Sequence, residues 1–325
     1  MNRFISELGE RVLAGGEVTY DEALRLTYAD GSENLILMGY AGKIRDRFRG
    51  NHVELCSIIS AKTGGCSENC TFCSQSSHYE TKIKVHPLLT QEDIVTKAKE
   101  MERAGAHRFD IVTSGLGVHH DDPEFQKIVR ALGRIKQETR LEICACLGTL
   151  TPEAVKALVE VGVSRYNHNL QTSRSFFRNI ITSHSYEQRL ETIKVVKAAG
   201  MEACCGGIFG MGESWEQRVE FAFELKELGI ESIPMNFLDA IPGTPMENQL
   251  PLTPMEILKT IAIFRFILPD RILRYAGGRE KNLGEYQVLG LLAGIDAMLV
   301  GNYLTTLGQL PDKDLEIIRQ AGLYK

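Results

Sequence analysis

Cys66, Cys70 and Cys73 place three thiols within the stretch "CSENCTFC" of a chain that has eight cysteines in all. Thiols at this spacing serve zinc sites, redox or disulfide chemistry, or iron–sulfur clusters. Structural zinc takes four closed ligands, and no fourth Cys or His follows at finger spacing; His78 comes five residues later. Eight cysteines in 325 residues are too few for a disulfide-stapled scaffold. Three thiolates on a cubane of four irons would leave one iron open to a further ligand, which is chemically useful. The preceding "KTGGC" supplies glycines for a tight loop around such a group.

The elements that must carry these residues alternate in type. Strand-like runs occur at residues 53–60, 108–114, 141–146, 164–169, 201–207, 231–237, 272–277 and 297–301, with helical patterns between them. Residues 90–105 and 185–200 are two such patterns, the second running from a serine N-cap to a glycine stop. Eight strands each followed by a helix predict an α/β fold of the (β/α)8 TIM type, with functional groups at the C-terminal strand ends. The doubly wound open sheet is the alternative, but no G-x-G-x-x-G follows the first strand. Residues 1–50 read as a helical N-terminal extension, and residues 51–325 as a single barrel domain.

Composition narrows the classes further. A net charge of −5 and a pI near 6.0 argue against a sequence-independent grip on nucleic acid. No apolar run reaches the roughly 18–20 residues that span a bilayer. The opening "MNRFISELGERVLAGG" is an amphipathic helix interrupted by Glu7, Glu10 and Arg11, unlike the apolar core of a secretory signal. A cytoplasmic protein is expected.

The C-x3-C-x2-C triplet, with Phe72 before its last cysteine, resembles the signature of the radical S-adenosylmethionine (SAM) superfamily. That resemblance implies a [4Fe–4S] cluster whose open iron chelates SAM, which is cleaved to methionine and a 5′-deoxyadenosyl radical. "SAKTGGCSENCTFCSQSSHY", "YNHNLQTS", "NIITSHSYEQRLETI", "GGIFGMGES", "IPMNFL", "IPGTPM" and "AGGRE" narrow it to the biotin synthase family, from about residue 20 to 325. The family inserts sulfur into dethiobiotin, drawing it from an auxiliary iron–sulfur cluster. The resemblance assigns Arg189 to the SAM carboxylate, Ile208 to the adenine site and Gln171, usually an aspartate, to the SAM ribose. It assigns Asn167, Asn169 and Asn236 to the substrate. Asparagine offers donor and acceptor together, which suits a cyclic urea, and positions two apart on a strand share a face. His168 between them is expected to pack outward and not to ligate. A flavodoxin- or ferredoxin-type electron donor and a homodimer are implied by the same resemblance.

In the family the auxiliary cluster is a [2Fe–2S] held by three cysteines and an arginine. Cys144, Cys204 and Arg274 match that set, but Asp110 stands at the third cysteine position. Aspartate is a hard ligand and a poor substitute for thiolate. Strand alternation suggests a repair: Cys146 shares a face with Cys144, and Cys56 falls where the family often has serine. Interior thiols at Cys56, Cys144, Cys146 and Cys204 would suit a four-iron cluster, leaving Arg274 as a hydrogen-bond donor behind the thiolates. Cys205, adjacent to Cys204, must face the helices as packing. Two other readings compete. One is another radical SAM barrel enzyme, of the hydrogenase-maturase or methylornithine-synthase kind; the other is a non-catalytic iron–sulfur electron carrier.

Overall fold

A computed structural model describes all 325 residues. Three helices come first: α1 (Asn2–Leu13), α2 (Tyr20–Leu26) and α3 (Glu33–Arg49). In α1 the buried Ile5, Leu8 and Val12 recur at helical spacing and form one apolar stripe. A reciprocal capping box between Thr19 and Glu22 opens α2. The extension packs against the outer helix Pro254–Ile267, which is buried along nearly its whole length and therefore apolar on every side.

Eight parallel strands form the barrel: β1 (Glu54–Lys62), β2 (Arg108–Thr113), β3 (Glu142–Cys146), β4 (Arg165–Asn167), β5 (Glu202–Cys204), β6 (Ser232–Phe237), β7 (Ile272–Tyr275) and β8 (Ala297–Leu299). They pair in sequence order, and β8 returns to β1, so the sheet closes without an edge. All eight predicted strands and the helical extension are present. The helices predicted at 90–105 and 185–200 run Gln91–Arg103 and Tyr186–Ala198, entered through the caps Thr90 and Ser185. No helix is long and apolar enough to cross a membrane.

Several predicted strands are shorter than expected, such as 272–277, which runs Ile272–Tyr275, and 297–301, which runs Ala297–Leu299; two others matter for the site. The run at 164–169 pairs only over Arg165–Asn167, so Asn169 lies just past the strand end. The run at 201–207 stops at Cys204, and a separate segment, Gly207–Phe209, then pairs with β6. The break falls at Gly206, where a Cβ would come within 2.1 Å of the Pro234 carbonyl oxygen. Only glycine lets the two backbones approach so closely.

The outward residues of the strands join the apolar core under the helices, as with Ile143, Ala145 and Tyr166. The inward residues are mostly polar. Register places Cys56 beside Arg108, Asp110 beside Cys144, and Asn167 beside Cys204. A barrel of stability alone fills this space with branched apolar side chains; here it is given to thiols, amides and charge.

Candidate active site

At the mouth, the loop after β1 presents Cys66, Cys70 and Cys73 to a cavity of about 900 Å³, counting the space open to solvent. That is room for a cofactor-sized group. Phe72, Gln171 and Arg189 line the same cavity. The loop is held by backbone bonds from Cys66 to Gln75 and from Cys73 to Cys70. Burial pushes the Cys70 thiol up to about 12, although nearby Arg189 pulls it down. Such a thiol becomes a thiolate when a metal takes up its charge. His78 gives its Nε2 to the Ser67 carbonyl and is not part of the set.

Arg189 is held from two sides. Its Nε donates to His184 Nε2 at 2.9 Å and its Nη1 to the Asn169 carbonyl at 2.8 Å. Gln171 is the one non-glycine residue with positive φ, at 76°. Its backbone bridges Gly206 and Ile208, and its side-chain Oε1 is buried without a partner. Ile208 lies beside Phe72 in an adjoining opening, so Phe72 borders both spaces. His168 stacks on the outward Tyr166 as parity predicts, yet it also reaches the mouth cavity, with its Nε2 unpartnered.

Below the mouth lies a second cavity, which shares Cys146 and Asn169 with the first. Cys56, Asp110, Asn167, Cys204 and Arg274 line it. Cys144 stands in register beside Asp110 and is fully buried. Burial raises all four interior thiols, Cys56 to about 12. Cys204 also donates to Ser232 Oγ at 3.4 Å. Burial pushes the Asp110 carboxyl up to about 7 even though Asn167 Nδ2 donates to its Oδ2. Asp110 Oδ1, Asn167 Oδ1 and Arg274 Nε are all buried without a partner. Buried polar atoms left open in one place call for a group between them. No three His, Cys, Asp or Glu side chains converge closely enough for a single metal ion. Cys205 faces outward into the apolar core, as expected.

The three asparagines that the resemblance assigns to a substrate are not equivalent. Asn167 keeps its Oδ1 unpaired beside Asp110. The Asn169 Oδ1 accepts from the Gly206 N–H at 3.0 Å. Asn236 lines the interior cavity, but its amide ties Gly207 to Gly277. Under the thiols the barrel floor is charged. Glu54 accepts from Arg108 Nε (2.9 Å), Arg165 Nη1 (2.7 Å) and Arg274 Nη2. Burial alone would raise the Glu54 carboxyl; Arg274, Arg165 and Arg108 overcome it and hold it at about 2.

Sequence reasoning missed several residues. Glu68, within the triplet, accepts from His184 and Ser183; its place between two ligands was the available signal. Tyr303, Leu304, Thr305 and Thr306 roof the interior cavity, and Thr305 bonds Ser74 beside Cys73 at 3.0 Å. Their place just past the last strand was the only cue.

Comparison with known proteins accords with this geometry. The radical SAM superfamily model matches residues 61–225, and that of the biotin and thiamin synthesis associated domain matches 234–324. The biotin synthase of Carboxydothermus hydrogenoformans is 57% identical, over 99% of either chain. That of Clostridium acetobutylicum is 50% identical over 98% of this chain and 97% of its own. Among solved structures, a methylornithine synthase superposes with a TM-score of 0.83 at 22% identity, covering 98% of this chain and 96% of its own. An FeFe-hydrogenase maturase from C. hydrogenoformans gives 0.79 at 17% identity, covering 98% and 78%. At such identities these two likenesses speak to the barrel alone. The full-length relatives and the matched superfamily model decide the rest: the chain belongs to the biotin synthase family of radical SAM enzymes.

Proposed function

We propose that this protein inserts sulfur into dethiobiotin to form biotin. The observation that carries the reading is the pair of adjoining cavities, a three-thiol mouth and a thiol-lined interior that meet at Cys146 and Asn169. When bound, a [4Fe–4S] cluster with SAM supplies the radical that takes hydrogen from carbon, and an auxiliary iron–sulfur cluster supplies the sulfur. Cys66, Cys70 and Cys73 would hold the first cluster, in the same cavity that Arg189 lines. The guanidinium pairs with the SAM carboxylate through charge-assisted bonds. Phe72, Ile208 and Gln171 flank the remainder of SAM. Asn167 and Asn169 orient the urea of dethiobiotin between the two centres, and Asn236 shapes that pocket by holding the strand ends. The roof at Tyr303–Thr306 excludes water from the reacting carbon.

For the auxiliary centre we favour a four-iron cluster on Cys56, Cys144, Cys146 and Cys204. Two observations support it. Asp110 stands in register beside Cys144, but its hard carboxylate matches iron–sulfur chemistry less well than the soft thiolates around it, which disfavours it as a ligand. Arg274 is committed to Glu54 through Nη2, which suits a donor behind the thiolates better than a ligand. The boundary between the two family models, at 225–234, falls between neighbouring strands of one closed barrel, which supports a single domain over 51–325. A flavodoxin- or ferredoxin-type donor, a homodimer and a cytoplasmic location belong to the same reading.

Anaerobic turnover with dethiobiotin, SAM and a reductant tests it, with biotin and 5′-deoxyadenosine measured together. Dethiobiotin is expected to stimulate deoxyadenosine formation and to yield biotin. SAM cleavage indifferent to dethiobiotin would point to a different radical SAM substrate, and no SAM binding at all to an electron carrier.

A further inference from the structure

Arg189 does not reach the mouth cavity unaided. We propose that His184 is a positioning residue of the SAM site: it links the Glu68 carboxylate on the cysteine loop to the Arg189 guanidinium and so fixes how Arg189 meets the SAM carboxylate. The inference rests on the reading of this cavity as the SAM site and goes beyond it by assigning residues that the sequence did not single out.

Arginine can only donate, so His184 Nε2, 2.9 Å from Arg189 Nε, must be the acceptor. The imidazole proton then sits on Nδ1, which donates to Glu68 Oε2. A neutral ring is therefore required, and its surroundings favour one. His184 is 6% exposed, with its edge against Phe177 at 5.9 Å between centroids. Burial first and the neighbouring guanidinium second lower its tendency to hold a second proton.

This spacing has a consequence for charge. A carboxylate bonded directly to Arg189 would draw the guanidinium toward the loop and spend its charge there. The neutral ring keeps the two apart while passing orientation from one to the other. With Nε on His184 and Nη1 on the Asn169 carbonyl, Nη2 is the nitrogen left for a ligand in the cavity. The guanidinium is thus preorganised to present Nη2 to a carboxylate as a charge-assisted donor. The same bonds run from a loop between two cluster ligands to a residue of the substrate pocket, so the two sites share one frame.

A second staple makes the inference testable. Asn69 independently ties the loop to Thr182 and Ser183 through four hydrogen bonds of 2.6–3.1 Å. Removing the imidazole therefore leaves the loop attached. The experiment measures SAM dissociation constants by equilibrium dialysis on anaerobically reconstituted holoenzyme, with iron content and thermal midpoint on the same samples. His184→Ala is expected to weaken SAM binding about tenfold with iron unchanged. His184→Gln, which keeps a donor and an acceptor, is expected to stay within about threefold of wild type. If His184 acts through Arg189, adding His184→Ala to Arg189→Lys costs less than about a further twofold. The electron paramagnetic resonance change that SAM induces in the reduced cluster should be altered in His184→Ala. Wild-type affinity in His184→Ala, or a double variant that loses the full product of the single losses, overturns the relay. A wild-type holoenzyme that binds no SAM instead removes the SAM-site reading, and the relay with it.

Discussion

The loop carrying Cys66, Cys70 and Cys73 and the strands carrying Cys56, Cys146 and Cys204, with Cys144 buried beside them, both offer thiols to a cavity, but on different terms. The loop set is defined by chain spacing, and two of its three thiols are partly exposed. The interior set is defined by strand register, and three of its four thiols are at most 1% exposed. A spacing motif brings its ligands together whatever surrounds it, and it has no spare. The interior set has neighbours in reserve, Asp110 and Arg274, and depends on the barrel for its geometry. The first site is thus built to meet a diffusing cofactor, the second to hold its contents still.

The sharpest way to break this comparison is Cys70→Ala. It is expected to reduce deoxyadenosine formation to background and to cost about four irons per chain. Persistent SAM cleavage would end the assignment of the triplet. Next, Cys144→Ala/Cys204→Ala is expected to abolish biotin while SAM cleavage continues, iron falling from about eight per chain to about four. A wild-type count near six would identify a two-iron auxiliary centre. A count near four in both proteins would remove that centre altogether.

A smaller effect probes what lies under the interior site. Glu54→Gln leaves three floor arginines without their shared carboxylate and is expected to destabilise the metal-free protein by about 2–3 kcal/mol at neutral pH. The folded-state value of Glu54, about 2, lies below its ordinary 4.5. Its contribution is therefore complete above about pH 4.5 and is lost as pH falls through about 2. The gap between wild type and variant in denaturant unfolding should close across that window; a constant gap would assign the effect to packing. The smallest effect is local to the mouth. Gln171→Gly relieves a left-handed backbone and is expected to add about 1 kcal/mol of stability while weakening SAM binding less than about threefold. No gain in thermal midpoint would show that φ to be unstrained.

Much of this was legible in the chain, for reasons that can be named. Short strand-like runs set between helical patterns and turn residues mark the barrel strands, so all eight could be located although their inward residues are polar. The serine cap at residue 185 marked a helix start because it satisfies otherwise open N–H groups. Strand alternation correctly set Cys144 with Cys146 and opposed Cys204 to Cys205. It could not show that Asn236 gives its amide to Gly207 and Gly277, because those bonds depend on strands meeting at the Gly206 break. Nor could it bring His184 to Glu68, a contact across 116 residues. The roof at Tyr303–Thr306 carries no spacing motif, and its role exists only when the barrel has closed.

The charged floor has a consequence for traffic. Glu54 and its three arginines stop the lower end of the barrel, so whatever reaches Cys56, Cys144 and Cys204 must come through the mouth. That route passes the cysteine loop and the C-terminal roof, which are hooked together by Ser74 and Thr305. A group entering the interior cavity from that side must therefore pass the contact between Ser74 and Thr305 or part it. The molecule is a vessel stoppered below by charge and latched above by a pair of hydroxyls.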